Sequence, residues 1–369
     1  MNSSLATPAP SGAKAARQSW IDILRGTSIV LVILLHTASF SSYADSTAPM
    51  ALLIQHINHS VAPFRMEIMF LLSGFFVHKS LSKGAATYYR GKLKNIFYPF
   101  IVWSVITFSI NMVGAQFFGG RWGDWHDLLR LAVGSTDFTW FLYDLFLFYL
   151  ITPLLRKYNV LLVVGSALLI ALFLPQEWLA FLPGYGPNQP GFERPIFTLN
   201  DKAYYFIYFF LGDYLIRRQI DLTQITHKGL LALSAVATVV ILYMGYLNFE
   251  GKTSPNFLPL VLLALPMIFK LSVLASKSRY SEVLAYVGRN SIVFYLVHYP
   301  LFMVLLFLLK KAGVQQAGMM FSLLLIAGLL VPYIVILAKN SKALGFINIL
   351  FAPRASAQPS IKKVRVSSY

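Results

Sequence analysis

The sequence predicts an all-α protein that crosses a membrane many times. Of its 369 residues, 57% are hydrophobic and only 12% are charged, whereas about 25% charged residues is usual for a soluble domain. The mean hydropathy is +0.64. Many of the apolar runs approach or exceed the roughly 20 residues that a helix needs to cross hydrocarbon. The predicted fold class is therefore a polytopic helical membrane protein.

Hydropathy places about ten transmembrane helices along the chain. They lie near 20–40, 61–78, 96–117, 138–155, 159–174, 202–217, 229–247, 257–276, 288–309 and 317–338. The first run is too long for the core of a signal peptide, and no obvious cleavage site follows it. The run at 159–174 is short and could be tilted or partly re-entrant. The longest connection, around 175–200, is rich in Pro and Gly, so no soluble domain is expected.

Composition divides the chain into three regions. Residues 1–16 are rich in Ala, Ser and Pro and are expected to form a disordered N-terminal tail. Residues 17–340 hold all the apolar runs and form the transmembrane domain. Residues 341–369 form a basic C-terminal tail.

The formal net charge of +17 is explained by membrane topology. Lys and Arg lie in several short connections, and about three times as many fall on one side of the predicted spans as on the other. This asymmetry predicts that both termini are cytoplasmic, which agrees with an even number of spans. Because the charge does not gather in one stripe, nucleic acid is not an expected partner. The lipid bilayer is the expected surrounding, and the oligomeric state stays open.

The sequence indicates no metal site and no bound cofactor. It contains no cysteine, which excludes disulfides, thiolate metal sites and a cysteine nucleophile. His56 and His59 have a spacing that could suit a metal, but no third ligand lies nearby. We interpret them as residues of an outer loop.

The first span carries two ionisable residues, Arg25 and His36, and such groups are costly in hydrocarbon. Their separation of 11 positions corresponds to about three turns plus 20°, so both side chains project from the same helix face. The distance along the axis is roughly 16 Å. Arg25 could instead snorkel to the cytoplasmic interface, and His36 could be a packed polar residue.

The geometry of this pair suits a long acyl donor. A guanidinium near the cytoplasmic end, Arg25, can bind phosphate through two parallel hydrogen bonds. Deeper in the membrane, the imidazole of His36 can act as a general base toward a hydroxyl, or take the acyl group transiently. The pantetheine arm of an acyl-CoA spans a comparable distance. Asp22, three positions before Arg25, could orient the guanidinium.

Other buried ionisable residues are supporting candidates. Arg65 and Glu67 could pair with each other or face a polar cavity, and the structural pair is the favoured interpretation. Asp144 could line a cavity or neutralise a buried cation, and the cation is favoured. His298 could share a cavity with His36 or be a buried structural histidine, with Pro300 expected to kink its helix.

An ordered set of motifs resembles the membrane-bound acyltransferase-3 family, whose members O-acylate surface glycans, lipopolysaccharide, peptidoglycan and small metabolites. The motifs are Asp22-x-x-Arg25-Gly26 followed by His36, which matches the family pattern R-x10-H, then Phe70 to Phe75, Tyr88-Tyr89-Arg90 through Pro99, Trp140-Phe141-Leu142, Phe209 to Gly212, and Ser291 through His298 to Pro300. Each motif alone is weak, but together they cover nearly the whole chain.

The resemblance implies an O-acyltransferase of the bacterial inner membrane, with Arg25 and His36 as the essential pair. The co-substrate would be acyl-CoA, most simply acetyl-CoA, and the acceptor a hydroxyl of a surface or periplasmic carbohydrate. Arg90, Lys92 and Lys94 would help Arg25 to hold the donor phosphates. Here the chain departs from the family, which often has Arg-x-x-Arg where Lys92 and Asn95 stand.

Two alternatives stay open. Phe64-Arg65-Met66 resembles the branch of the family that succinylates periplasmic glucans, so the acyl group could be succinyl. A transporter or exporter of a glycan or lipid precursor would also have many spans with buried charges. A transporter would not require a cation and an imidazole on one helix face at the length of a donor arm.

Overall fold

The computed structural model describes residues 11–42, 49–118, 138–174, 198–247 and 255–353. Within these ranges the chain folds into helices and no residue lies in a strand. The α-helices are α1 Ser11–Ser41, α2 Pro49–Ser60, α3 Met66–Leu81, α4 Ala85–Lys92, α5 Tyr98–Phe118, α6 Trp140–Leu155, α7 Val160–Phe173, α8 Leu199–Arg217, α9 Lys228–Leu247, α10 Leu258–Ala275, α11 Ser281–Arg289, α12 Ser291–Lys311 and α13 Ala317–Asn340. The predicted all-helical class is confirmed.

A helix occupies each of the predicted spans, but not all of these helices are long and apolar enough to cross a membrane by themselves. Seven segments of the described residues are long and apolar enough: Ser19–Ser41, Pro49–Leu81, Ala85–Gly114, Lys228–Leu247, Pro255–Ala275, Ser291–Lys311 and Ala317–Asn340. Helices α6 and α7 are apolar but shorter, with 16 and 14 residues. Helix α8 carries the charged residues Asp201, Lys202, Asp213 and Arg217. The count of about ten spans and the cytoplasmic termini stay predictions.

The outer surface of the bundle is apolar. Leu161 and Phe173 of α7 expose 77% and 70% of their surface, and Val239 of α9 exposes 66%. In water such a surface would promote association, whereas lipid tails cover it without cost. The centre is aromatic instead: Phe70 packs against Phe141, Phe148 and Tyr205 with ring centroids 4.8–5.1 Å apart.

Two pairs of glycines let helix backbones touch. A Cβ atom on Gly26 of α1 would overlap the carbonyl oxygen of Leu284, and one on Gly288 of α11 would overlap that of Asp22. Small residues at such crossings are typical of helix packing in membranes. The contact therefore fixes α1 against α11 beside Arg25.

The second glycine pair joins α3 to α8. A Cβ atom on Gly74 would overlap the carbonyl oxygen of Phe209, and one on Gly212 would overlap that of Leu71. Residues Tyr204 to Phe210 of α8 are all buried, on every side of the helix. A helix that is enclosed all round lies in the interior of its bundle, so α8 is the central helix.

The described helices reach into both predicted tails. The backbone of α1 is helical from Ser11, inside the segment expected to be disordered, while residues 1–10 lie outside the described ranges. At the other end a 3-10 helix, Gly345–Leu350, packs on α5. The indole Nε1 of Trp103 donates a hydrogen bond to the carbonyl of Leu350 at 2.8 Å. Residues 354–369, most of the predicted basic tail, lie outside the described ranges.

Candidate active site

A direct contact between two histidines defines the centre of the candidate site. His36 Nδ1 of α1 lies 2.8 Å from His298 Nε2 of α12, and the two rings are nearly parallel at an interplanar angle of 17°. His298 is completely buried, whereas His36 as a residue is only partly buried. The two candidate histidines therefore form one unit, in which His36 is the less enclosed member.

The hydrogen-bond partners define which nitrogen of each neutral ring carries the proton. His298 Nδ1 lies 2.8 Å from the carbonyl oxygen of Phe294, and a carbonyl only accepts, so this nitrogen carries the hydrogen. In neutral His298 the Nε2 atom is then an acceptor, and His36 Nδ1 must donate to it. The remaining nitrogen, His36 Nε2, therefore holds a lone pair that can accept a proton or attack a carbonyl.

Aromatic rings hold the two imidazoles in place. Tyr299 meets the His36 ring edge to face with centroids 4.9 Å apart, and Phe40 packs on the same tyrosine at 5.3 Å. Phe302 contacts the buried ring of His298 at 5.7 Å. Helix α12 continues through Pro300, which lies between these contacts. The surroundings are largely apolar, which strengthens electrostatic interactions at His36.

Arg25 lies near the middle of α1, eleven positions before His36, and 22% of its side chain is accessible. Its guanidinium lies 3.8 Å from the carboxylate of Asp22 and 4.9 Å from the ring centre of Phe76. No hydrogen bond joins this guanidinium to another side chain in the part of the chain that the structure describes. Its donors therefore remain available to a ligand, and Asp22 stands where the i, i+3 spacing predicts.

Lys92 and Arg25 are related through Tyr149, with which each of them interacts. The ammonium of Lys92 lies 3.5 Å from the ring centre of Tyr149, whose hydroxyl donates to the carbonyl of Ser73 at 2.7 Å. Tyr149 is also within electrostatic range of Arg25. Lys92 thus contacts Tyr149 directly, while Arg25 interacts with it only through longer-range electrostatics. The sequence analysis did not identify Tyr149 because it sits in an ordinary aromatic run.

The other two predicted phosphate-binding residues are less closely placed. Arg90 is exposed, and Lys94 is half-buried in the π-helical turn Leu93–Phe97 that joins α4 to α5. In the described ranges, neither makes an ion pair or cation–π contact with the residues around Tyr149. The structure therefore brings together Arg25 and Lys92 out of the four predicted cations.

Arg65 and Glu67 make no direct hydrogen bond with each other in the described ranges, although they are within electrostatic range. Arg65 precedes α3 and Glu67 lies in its first turn, and residues two positions apart on a helix do not face each other. Arg65 Nη2 instead donates to the carbonyl of Asn58 at 2.6 Å, and Glu67 Oε1 accepts from the hydroxyl of Tyr204 at 3.3 Å. Both side chains are buried, and both keep one polar atom without a partner among the described residues.

Asp144 pairs with a buried cation on the central helix. Lys202 Nζ lies 2.5 Å from Asp144 Oδ1, and both side chains are buried. Sequence analysis favoured a cation as the partner of Asp144 but did not name Lys202, which it placed at the end of a span. This pair links α6 to α8.

A second buried carboxylate, Asp213 of α8, was not among the sequence candidates. Arg156 Nε donates to it at 2.8 Å and Arg217 Nε at 3.1 Å. Its position inside an apolar run was the signal that could have identified it, because an acid there needs a cation. This network joins α6 to α8 in the same way as the pair of Asp144 and Lys202.

His56 and His59 lie on helix α2 and not in a loop, so that interpretation is wrong. His56 Nδ1 is 3.0 Å from the carbonyl oxygen of Tyr246 on α9, while His59 Nδ1 is buried and has no partner within the described ranges. Twelve residues of amphipathic sequence were too short to be recognised as a span, which explains the error.

The helical fold and the polar site inside it define a multi-pass membrane protein with two hydrogen-bonded imidazoles between its helices. Residues 18–337 match a family model described as an acyltransferase domain. The chain belongs to the acyltransferase-3 family and is a membrane acyltransferase. A comparison with curated proteins found no match, and a comparison with solved structures found none either.

Proposed function

We propose that the protein transfers an acyl group, most simply acetyl, from a cytoplasmic acyl-CoA to a hydroxyl of a surface or periplasmic carbohydrate. The membrane would be the inner membrane of a bacterium, with both termini in the cytoplasm. The observation that carries the proposal is the arrangement of α1, in which an available guanidinium and an imidazole with an accessible lone pair stand on one helix face. Acyl-CoA is a co-substrate here, and no permanently bound cofactor is required.

The chemistry at His36 can take two routes. In the first, Nε2 accepts the proton of the acceptor hydroxyl while that oxygen attacks the thioester carbonyl, and the proton then passes to the departing CoA thiolate. In the second, Nε2 attacks the thioester carbonyl itself and releases the thiolate. The acceptor oxygen then attacks the acyl carbonyl and displaces the imidazole, while the hydroxyl proton passes to the thiolate. Both routes need a lone pair on Nε2, which the contact with His298 provides.

His298 supports either route as a positioning residue. Its Nε2 accepts the hydrogen of His36 Nδ1 at 2.8 Å and so keeps the lone pair on the opposite nitrogen. When His36 gains a positive charge, the same hydrogen bond stabilises that charge. The carbonyl of Phe294 orients His298 in turn, in the same manner as a third group orients the base in other acyl-transfer sites.

The donor would lie along α1 with its phosphates toward Arg25. The guanidinium can bind a phosphate with two parallel hydrogen bonds, and Asp22 holds it in place from 3.8 Å. The ammonium of Lys92, which lies against the ring of Tyr149, would add a second positive charge for the phosphates. The rise of a helix places His36 roughly 16 Å from Arg25, within reach of the thioester of a bound acyl-CoA.

The proposal is tested by the thermal stability of the purified protein in detergent, titrated with CoA, acetyl-CoA and succinyl-CoA. A ligand that binds only the folded state raises the apparent stability. We expect the shift to disappear in Arg25→Ala and to persist in His36→Ala. The matched controls are Arg279→Ala, which removes an exposed arginine of the same type, and His56→Ala. The ligand that gives the largest shift in thermal stability would identify the acyl group.

A transporter would give a different result. Cells that lack an acyltransferase make the carbohydrate without its ester groups, whereas cells that lack an exporter lose the carbohydrate from the surface. Absence of any stabilisation by a thioester at millimolar concentration, together with missing carbohydrate, would overturn the proposed function.

A further inference from the structure

Unpartnered buried polar atoms concentrate in one short stretch of the chain. Asn58 Oδ1, His59 Nδ1, Arg65 Nε and Glu67 Oε2 have no hydrogen-bond partner among the residues that the structure describes. Seven residues carry such an atom in the described ranges, so four of the seven fall within ten consecutive positions. A buried polar atom without a partner loses its hydrogen bonds to water and gains none in return, which is unfavourable. The concentration therefore indicates a place where something else supplies the partners.

These residues surround Arg65 and reach the proposed reaction centre. Arg65 is within electrostatic range of Glu67, of His59 and of His36. Its side chain is 4% exposed, and that of Glu67 is completely buried. The cluster lies on α2 and the start of α3, two helices against which α1 with His36 packs, and Arg65 is its member within electrostatic range of His36.

Arg65 and Glu67 each form a hydrogen bond through one side-chain atom and keep another polar atom without a partner in the described ranges. Arg65 is fixed by the hydrogen bond from Nη2 to the carbonyl of Asn58 at 2.6 Å, which leaves Nε without a partner in the described ranges. Glu67 is fixed by Tyr204 through Oε1 at 3.3 Å, which leaves Oε2. A group anchored in this way is preorganised to bind a ligand, because little side-chain entropy is lost on binding.

We infer that Arg65, Glu67 and Asn58 form the acceptor-binding subsite beside His36, and that they recognise neighbouring hydroxyl groups of an uncharged carbohydrate. This inference rests on the proposed function. The subsite offers one donor, the N–H of Arg65 Nε, and two acceptors, Glu67 Oε2 and Asn58 Oδ1. A hydroxyl both donates and accepts, so two adjacent hydroxyls of a sugar can satisfy all three atoms.

The charge of the subsite favours an uncharged ligand. An anion at Arg65 would also meet the carboxylate of Glu67, and a cation at Glu67 would meet the guanidinium. A plain acyl chain would leave all three polar atoms without partners. Ordered water is the competing occupant, because buried waters commonly bridge such atoms. A water-filled cavity would contribute to stability but not to the affinity for the acceptor.

The experiment uses the full chain in nanodiscs, which expose both faces of the protein. The donor is acetyl-CoA labelled in the acetyl group, and the acceptor probe is the carbohydrate fraction of cells that lack the protein. We expect Glu67→Gln to raise the amount of this fraction that gives half the maximal rate by tenfold or more, which is the effect of losing one hydrogen bond to a charged group. The KM for acetyl-CoA should stay within twofold.

Two further variants keep the test decisive. Asn58→Ala covers the case in which Glu67→Gln does not fold, and stabilisation by acetyl-CoA shows whether each variant is folded. The matched control is Thr152→Val, because Thr152 Oγ1 is another buried atom without a partner in the described ranges but lies on α6, outside the subsite. The control should leave the acceptor dependence unchanged.

The outcomes separate the inference from the function on which it rests. If folded Glu67→Gln and Asn58→Ala keep the wild-type dependence on the carbohydrate fraction and differ only in stability, the cavity holds water and the inference is wrong. If the wild-type protein is stabilised by acetyl-CoA but transfers no label to the carbohydrate fraction, the carbohydrate acceptor of the proposed function is wrong, and the subsite falls with it.

Discussion

His36 and His298 are separated by 262 positions in the chain, yet Nδ1 of the first lies 2.8 Å from Nε2 of the second. The bond joins α1 to α12 at the one place where both helices carry an imidazole. His298 Nδ1 donates its hydrogen to the carbonyl of Phe294, and His36 Nδ1 donates to His298 Nε2. The second nitrogen of His36, Nε2, therefore keeps its lone pair.

We therefore predict that His298→Leu lowers the rate of acyl transfer by about 100-fold, the lower range for the loss of a positioned general base. Binding of acetyl-CoA should be unchanged, because Arg25 is not affected. His298→Gln is the matched control: its amide can accept from His36 and donate to Phe294, so it should recover at least tenfold of the loss. Equal rates for the two variants would show that His298 acts only by filling space.

The glycine contact between α1 and α11 gives a second prediction. Gly26→Ala places a methyl group on the carbonyl of Leu284, and overpacking of this kind is unfavourable by about 1–3 kcal/mol or more. We expect a lower midpoint of thermal unfolding and a lower yield of monodisperse protein in detergent. Gly165→Ala is the control, because no atom of the described residues lies within 4 Å of the added Cβ. A Gly26→Ala protein as stable as Gly165→Ala would contradict the packing described for α1.

The pair of Asp144 and Lys202 should be strongly coupled. Asp144→Leu or Lys202→Met alone leaves an uncompensated buried charge, and breaking such a pair is unfavourable by about 3–5 kcal/mol. We expect the double variant to recover most of this loss, because two apolar groups of similar size leave no charge behind. The measurement is a double-mutant cycle on the free energy of unfolding in detergent. Additive losses would show that the two groups do not interact.

Lys92 and Arg90 should differ in their effect on the donor. We expect Lys92→Met to weaken acetyl-CoA binding by about tenfold, which corresponds to about 1.4 kcal/mol, since its ammonium contacts Tyr149 and Arg25 is within electrostatic range of that tyrosine. Arg90→Met, at an exposed position of the same helix, should change the affinity by less than about twofold. The apparent Kd from ligand-dependent stabilisation measures both. A larger effect of Arg90→Met would place the phosphates further from Tyr149.

The predicted topology can be measured directly, because the chain contains no cysteine. Single cysteines introduced at Ser3 and Ser368 should react with a membrane-impermeant maleimide only after the cells are opened. A cysteine at Ser254, in the connection between α9 and α10, should react in intact cells once the outer membrane is permeable. Labelling of a terminal cysteine in intact cells would show that the termini lie outside the cytoplasm and that the predicted orientation is wrong.

Sequence reasoning located the long helices because twenty apolar residues in a row have few other structures available. It did not find α2, α4 or α11, which have 12, 8 and 9 residues and are too short to be recognised by hydropathy. It identified His36, His298 and Asp144 as unusual residue types for a membrane interior. Their partners could not be assigned, because contacts such as that of Asp144 with Lys202 depend on how distant helices pack.

The hydrogen-bond partners of Arg65 and Glu67 could not be predicted from the sequence. The two residues stand two positions apart where α3 begins, and residues at that spacing on a helix do not face each other. Their partners, the backbone of Asn58 and the hydroxyl of Tyr204, come from the preceding helix and from the central one. Tyr149 was missed for a different reason: nothing in an aromatic run distinguishes the ring that Lys92 contacts.

Placing Arg25 and His36 on a single uninterrupted helix has a consequence for the choice of donor. An α-helix hardly stretches, so the interval between the two side chains stays constant while the surrounding bundle moves. A thioester on a shorter carrier would either reach the imidazole without its anchor or remain anchored with its carbonyl short of the imidazole. The length of the carrier, and not only the identity of the acyl group, would then decide which metabolites this protein can use.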